Sequence, residues 1–258
     1  LSEHQIFIGC AGWSLGREHA IHFPAAGTHL QRYASQFNGV EINSSFYRPH
    51  RRQTYVRWAD SVPPGFRFCV KVPKQITHAQ RLVDCEPLLD AFLDQCSGLG
   101  NRLGSLLVQL PPSLAFEEGV VERFFTVLRA QYSGALVLEP RHASWIDAEP
   151  LLIAHRVAQA VVDPSRIGTD ASPHGSKDLR YWRLHGSPRI YYSAYEPMFL
   201  ERLASRLKLA AAEGNAWCIF DNTASGAALM NALQLKNLLY ADSAESKKFS
   251  PSDIMPAG

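Results

Sequence analysis

The chain has 258 residues, with 26 Lys and Arg against 24 Asp and Glu for a net charge of +2, and 46% of its residues are apolar. This is the composition of a folded globular domain, and it excludes a disordered, collagen-like or coiled-coil chain. The near-neutral charge argues against a dedicated duplex-DNA binder, which is usually strongly basic. No apolar run approaches the ~18 residues that span a bilayer. The first residues lack a basic region followed by an apolar core, so no signal peptide is expected. The five cysteines, Cys10, Cys69, Cys85, Cys96 and Cys218, are odd in number, widely spaced and free of any C-x-x-C. That pattern predicts buried, reduced thiols in a cytoplasmic protein.

Residues 5–10 form the first of eight short apolar runs bounded by turn residues. Thr28 then offers an N-cap to a helix over 28–38. The second run, 39–43, is followed by a short helical stretch at 54–60, and the third run, 67–72, by a helix over 84–99. Run four (105–110) leads into a helix over 117–130, whose opening acids suit a helix N-terminus. Run five (135–139) precedes a helix over 147–158, and run six covers 159–163. Residues 164–177 carry Pro, Gly, Ser and Asp without periodicity and predict a loop in place of a helix. Run seven (180–185) is followed by a helix over 194–213, ended by Gly214. Run eight (216–221) is followed by a helix over 226–239.

Eight strands alternating with helices, at about 30 residues per unit, predict an α/β fold with a parallel sheet inside and helices outside. The expected architecture is a (β/α)8 barrel of the TIM type, one domain over residues 1–240, with the helix after strand six replaced by a loop. Residues 241–258 are polar and read as a C-terminal tail. A doubly wound open sheet is the competitor, but Gly9, Gly12 and Gly16 lack the spacing of a dinucleotide turn.

In such a barrel chemistry sits at the C-terminal ends of the strands. Side chains alternate faces along a strand, so Glu41 and Asn43 share a face, as do Glu139 and Arg141, and Arg183 and His185. Lys71 ends run three, Gln109 run four, Asp163 run six, and Asp221 and Asn222 run eight. A barrel filled only for stability would not need this polar ring, because buried charge is costly unless paired. A plug of salt bridges, such as Glu41 with Arg183, is the structural alternative. Read as a site, Glu41, Glu139, Asp163, His142 and His185 are the acid–base candidates. Lys71, Arg141 and Arg183 would hold a small anionic substrate, one bearing a carboxylate or phosphate. Trp13, Tyr47 and Trp145, with Phe46, Tyr191, Tyr192 and Tyr195, lie in loops and could form a stacking wall. Asn43, Gln109 and Asn222 complete the substrate-binding set.

No cofactor is implied. A divalent metal on Glu139, His142, Asp163, His185 and Asp221 is the rival chemistry, although the three cations would crowd it. A non-catalytic sensor of an anionic metabolite or a nucleic-acid end is the other alternative. The leading expectation is a metal-independent acid–base enzyme, a hydrolase or lyase.

The strand-end strings IGCAGWS (8–14), RYASQFNGVEINSSFYRP (32–49), RFCVKVPKQITH (67–78), LVQLPPSL (107–114), VLEPRHASW (137–145), VVDP (161–164), YWRLHG (181–186) and IFDNTASGAALMNA (219–232) resemble the YecE-like family. The match runs in order over residues 6–240. The resemblance implies a TIM-type barrel and supplies no reaction. It marks Trp13, Glu41, Asn43, Phe46, Tyr47, Lys71, Gln109, Glu139, Arg141, His142, Trp145, Asp163, Arg183, His185 and Asn222. Two departures stand out. Asp221 replaces an Asn of the family pattern, adding a carboxylate, and Pro140 replaces an aromatic residue and cannot donate a ladder hydrogen bond.

Overall fold

The computed structural model describes residues 4–165, 167 and 173–245. In chain order the elements are β1 (Ile6–Cys10), α1 (His29–Ala34), β2 (Gly39–Ile42), α2 (Arg52–Asp60), β3 (Arg67–Lys71), α3 (Glu86–Cys96), β4 (Leu103–Gln109), α4 (Glu118–Gln131) and β5 (Ala135–Glu139). They continue with α5 (Glu149–Ala154), β6 (Val157–Gln159), β7 (Val161–Asp163), β8 (His174–Gly175), β9 (Leu179–Leu184), α6 (Pro197–Ala211), β10 (Asn215–Phe220) and α7 (Ala227–Glu245). The fold is α/β with parallel sheets. No helix among the described residues is long and apolar enough to cross a membrane. All five cysteines are unpaired and buried.

The strand hydrogen bonds make two sheets, β1-β10-β9-β7 and β2-β3-β4-β5-β6-β8, rather than the single closed ladder of eight expected from the sequence. Every pair is parallel except β6 with β8. The sheets approach each other twice. Ala11 and Glu41 form an isolated parallel bridge. The sixth run begins two residues earlier than expected, and the segment 157–163 breaks at Ala160: β6 pairs with β5, Ala160 N donates to Leu138 O, and β7 then pairs with β9. One continuous segment thus serves both sheets.

Local chemistry explains where helices start and stop. Thr28 caps α1 in a full capping box with Gln31, the reciprocal pair that satisfies two orphan amides. α5 ends at Ala154, short of the expected residue 158, because Arg156 takes a left-handed turn (φ 55°) and Val157 enters β6. α7 runs on to Glu245, into the stretch expected to be tail. Of the loop expected over 164–177, residues 166 and 168–172 lie outside the described residues. Its end, His174–Gly175, forms β8.

Strand alternation divides the apolar residues into two clusters. Phe68, Val70, Leu106, Val108, Leu136 and Leu138 face the helices. Their neighbours of opposite parity, Cys69, Leu107 and Val137, join Phe7, Tyr181, Trp217 and Ile219 in a separate inner cluster. Room for the Trp217 ring comes from a bulge. Phe68 pairs with Leu103 and Cys69 with Ser105, which leaves Gly104 as the extra residue. A Cβ there would lie 2.6 Å from the Trp217 ring, so glycine is required by close approach.

Candidate active site

The inner faces of the strands change character in steps. On β9 the inward series is Tyr181, Arg183 and, one residue past the strand, His185. On β10 it is Trp217, Ile219 and then Asp221. The parallel ladder carries on past both strands, with His185 N donating to Asp163 O and Asp221 N to Leu184 O, each at 2.8 Å. β2 brings in Glu41 and β5 Glu139, both of which Arg183 reaches, and β3 ends on Lys71. Apolar side chains thus give way to ions toward the C-terminal ends of the strands.

Arg183 is the centre of the ionic layer and is 0% exposed. Its Nε donates to Glu41 Oε2 at 2.8 Å and its Nη2 to Glu41 Oε1 at 2.6 Å, a bidentate pair. Nη1 donates to Glu139 Oε2 at 2.8 Å, and Nη2 lies 3.1 Å from Asp221 Oδ2. The Tyr181 hydroxyl donates to Glu41 Oε2 at 3.3 Å and ties this layer to the apolar one beneath. Burial alone would lower the Arg183 pKa, but Glu41, Asp221 and Glu139 together hold it well above its ordinary value. Nη1 also lies 3.4 Å from His185 Nε2, so every nitrogen of this buried guanidinium faces a partner within the layer, and its place is that of a keystone.

His185 sits at the upper edge of that layer. Its Nδ1 donates to Asp221 Oδ2 at 2.9 Å, and its Nε2 lies 3.4 Å from Glu139 Oε1. Burial pulls the imidazole pKa down, yet the charge of Glu139 and the hydrogen bonds with Asp221 and Glu139 hold it above its ordinary value. Glu139 shows the converse. Burial pushes its carboxyl up, and Arg183, His185 and Arg141 bring it well below the usual carboxylate range. Asp221 is likewise lowered, against its burial, by Arg183 and His185. Arg141 closes over Glu139, with Nε at 2.9 Å and Nη2 at 2.8 Å from Oε1. Arg141 and His185 together line a small cleft of about 20 Å³ with Pro140, Ala160, Val162 and Tyr191.

Lys71 is held differently. Only 5% exposed, it donates from Nζ to Asn43 Oδ1 at 3.1 Å and lies 4.3 Å above the Phe46 ring. Burial, then the positive charge of Arg183, bring its pKa down to about 8 against the weaker pull of Glu41, Glu139 and Asp221.

With this geometry in hand, likeness to known proteins becomes informative. The model of a family described as "Protein of unknown function DUF72" matches residues 7–254. The chain belongs to the DUF72 family. It is 30% identical over 174 residues to the protein YecE of Escherichia coli, a match covering 66% of this chain and 62% of YecE. It is 33% identical over 115 residues to YunF of Bacillus subtilis, covering 42% of this chain and 40% of YunF. A DUF72 protein of Thermotoga maritima has a similar structure, with a TM-score of 0.78, 26% identity, and coverage of 92% of this chain and 99% of that one. A xylose isomerase-like TIM barrel/4-hydroxyphenylpyruvate dioxygenase fusion protein has a TM-score of 0.51 at 12% identity, over 97% of this chain and 46% of that one. That last likeness concerns the fold alone.

Of the residues that the sequence marks in this DUF72 chain, Glu41, Glu139, Arg183, His185, Arg141, Lys71 and Asn43 gather in or beside the ionic layer. The others serve elsewhere. His142 caps the turn that follows it, its Nδ1 accepting from Ser144 N at 3.3 Å. Asp163 accepts from the Tyr195 hydroxyl at 2.9 Å. Trp145 is buried, donates to Leu114 O at 2.8 Å and packs on Phe116, so it is a core residue and not a stacking surface. Asn222 donates to Ser193 O and Asn231 Oδ1, bracing the loop over His185. Gln109 turns to the Leu110 carbonyl at 3.3 Å, and Trp13 packs edge-on to Trp58. Tyr47 is 65% exposed and meets Phe46 edge-on.

Among the described residues no three His, Cys, Asp and Glu side chains are grouped so as to hold a metal ion. Two contributors were underrated from sequence. The sequence places Asp221 at the end of run eight, as a candidate metal ligand or an added carboxylate able to pair with a local cation, and in the structure it is the partner of His185. Tyr191 was weighed only as a stacking ring, whereas it stands edge-on to His185 at 5.6 Å, in a left-handed backbone (φ 70°) that few non-glycine residues adopt. Its neighbours in sequence give no signal for that conformation. The parity of run eight, extended by one residue, does give a signal for Asp221.

Proposed function

We propose that this chain is an acid–base enzyme, a hydrolase or lyase, acting on a small anionic substrate in the cleft at the C-terminal ends of the strands. The observation that carries this reading is His185, with Nδ1 2.9 Å from Asp221 and Nε2 3.4 Å from Glu139, on the wall that it shares with Arg141. His185 is the proton donor in this scheme and the catalytic residue. Arg141 and Lys71 receive the anion. Glu139, Asp221, Glu41 and Arg183 are positioning residues, since a carboxylate as acidic as Glu139 is a poor acid and a weak base at neutral pH. Metal independence is supported by the pairing of the carboxylates with guanidinium or imidazole groups. The two sheets are taken as arcs of one (β/α)8 barrel, a reading supported by their junctions at Ala11–Glu41 and Ala160. Buried, unpaired cysteines fit a reducing, cytoplasmic setting.

The test begins with a thermal-shift panel of phosphate, sugar phosphates, dicarboxylates and nucleotides. A ligand at about a hundred times its dissociation constant stabilises by roughly 2.7 kcal/mol. The responding class is expected to lose its shift in Arg141→Ala. The bound compound is then followed for product, with His185→Gln binding it but not turning it over. Normal turnover by His185→Gln would overturn the assignment. Recovery of every bound compound unchanged would favour a sensor instead, a reading supported by how fully the carboxylates are already paired.

A further inference from the structure

The cleft that Arg141 and His185 share, at about 20 Å³, has room for about one water molecule as it stands. A substrate of the class proposed above needs more, so one wall has to yield. Pro140, Ala160 and Val162 lie in or beside the strands, where the sheet ladders fix them. Tyr191 is a wall of another kind. It is 38% exposed, and its ring stands edge-on to His185 at 5.6 Å. Its hydroxyl meets the Arg141 guanidinium, which already gives Nε and Nη2 to Glu139. One side chain thus covers both groups assigned to the substrate, and its oxygen rests on the cation expected to take the anion.

The backbone explains how the ring comes to be there. At φ 70° Tyr191 is in the left-handed region, which suits glycine and strains a bulky residue. Two hydrogen bonds hold it so, with N donating to His185 O and O accepting from Ala224 N. Glycine would serve this turn at lower cost, yet the chain keeps an aromatic side chain there, aimed at His185 from a fixed anchor. Because both backbone groups are tied, rotation about the side-chain bonds is the motion left to the ring, toward the water that it already meets.

We propose that the Tyr191 side chain is a gate: it closes the cleft by occupying the place of the anion, and an incoming anion displaces it outward while the backbone stays. This rests on the reading above that Arg141 receives an anion. The carboxylate or phosphate of the substrate replaces the hydroxyl on Arg141, and the body of the substrate takes the space that the ring vacates beside His185. The open cleft therefore admits a ligand about as large as a phenol, where the closed one admits water alone.

The test uses phenylglyoxal, a neutral dicarbonyl that modifies accessible guanidinium groups, with inorganic phosphate as the anion. Peptide mapping reads the rate at Arg141 against that at Arg48, which is exposed and serves as the internal standard. Arg141 is expected to react about tenfold faster in Tyr191→Gly than in the wild type, with Arg48 unchanged. Phosphate is expected to protect Arg141 in both proteins. The half-protecting concentration should be about tenfold lower in Tyr191→Gly, since a site open one part in ten binds about tenfold more weakly than one always open. Should Tyr191→Gly fold poorly, Tyr191→Asn, which also tolerates the left-handed backbone, makes the same comparison. That pattern upholds the gate and the anion reading together. An Arg141 rate that does not rise in the variant would overturn the gate. Protection in the variant but not in the wild type would make Tyr191 a fixed wall, overturning the gate and leaving the anion reading in place. A faster rate with no protection in either protein would overturn the anion reading itself, and displacement by an anion with it.

Discussion

Two levels of the same interior, one above the other on the same strands, are built on opposite principles. The lower holds Phe7, Leu107, Val137, Tyr181, Trp217 and Ile219, whose contribution is area removed from water and close packing. The upper holds Arg183, Glu41, Glu139, Asp221 and His185, each of which had to leave water to be there. Desolvated charges return that cost only when every partner is present, and apolar residues of equal volume often serve stability as well or better. The lower level therefore explains why the chain folds. The upper level is what the chain carries in spite of the cost, which is why function is sought there.

The contrast can be broken most sharply by placing the same side chain at both levels. Arg183→Met leaves Glu41, Glu139 and Asp221 without their common cation and is expected to destabilise by about 3–5 kcal/mol. Leu107→Met, in the lower level, conserves volume and is expected to cost less than about 1.5 kcal/mol. Urea unfolding of the two variants measures both. Equal losses would mean that the levels do not differ in kind.

A smaller effect is expected from pH. His185 is raised in the folded state, so its contribution is full below its unfolded pKa of about 6.5 and is lost as pH rises through the folded value. Glu139 and Asp221 are lowered, so theirs is present above about 4 and is lost as pH falls through their folded values. Lys71 acts in the other direction, adding stability as pH rises from about 8. Thermal unfolding should therefore show a decline starting above about pH 6.5, and His185→Gln should flatten it between there and pH 8. An unchanged slope in that variant would show that His185 is not the titrating group.

The smallest change is at the seam. Tyr181→Phe removes the one hydroxyl that reaches from the lower level to Glu41 and is expected to cost about 1 kcal/mol, read by the same urea titration. A cost several times larger would show that the two levels are not separable.

Much of this arrangement was legible in the chain because strand alternation is a strict rule. Glu41, Glu139, Arg183 and His185 share inward parity, and that alone brings them together. What parity cannot supply is how far a polar side chain stays from solvent or which neighbour it answers. His142 and Trp145 follow run five by three and six residues, shortly after Arg141, yet His142 caps a turn and Trp145 is absorbed into the core. Asn222 sits beside Asp221 and points to the loop instead, because the strand remains regular for one residue more. The division of the strands into two sheets, and the break at Ala160, depend on pairings between distant segments that no local pattern encodes. Apolar spacing predicts α5 too long because it continues past the point where Arg156 turns left-handed.

The Glu41–Arg183 pair joins positions 142 residues apart, and Glu139–Arg183 positions 44 apart. On the ribosome, both acids emerge well before their cation. Contacts of such long range are closed late, after the loop between them has been gathered in. Until Arg183 arrives, two carboxylates with no counter-charge keep the upper interior hydrated, while the apolar residues below begin to associate. The electrostatic layer is thus a completion step in biogenesis: the cleft takes its final form only once the carboxyl-terminal third of the polypeptide has joined the rest.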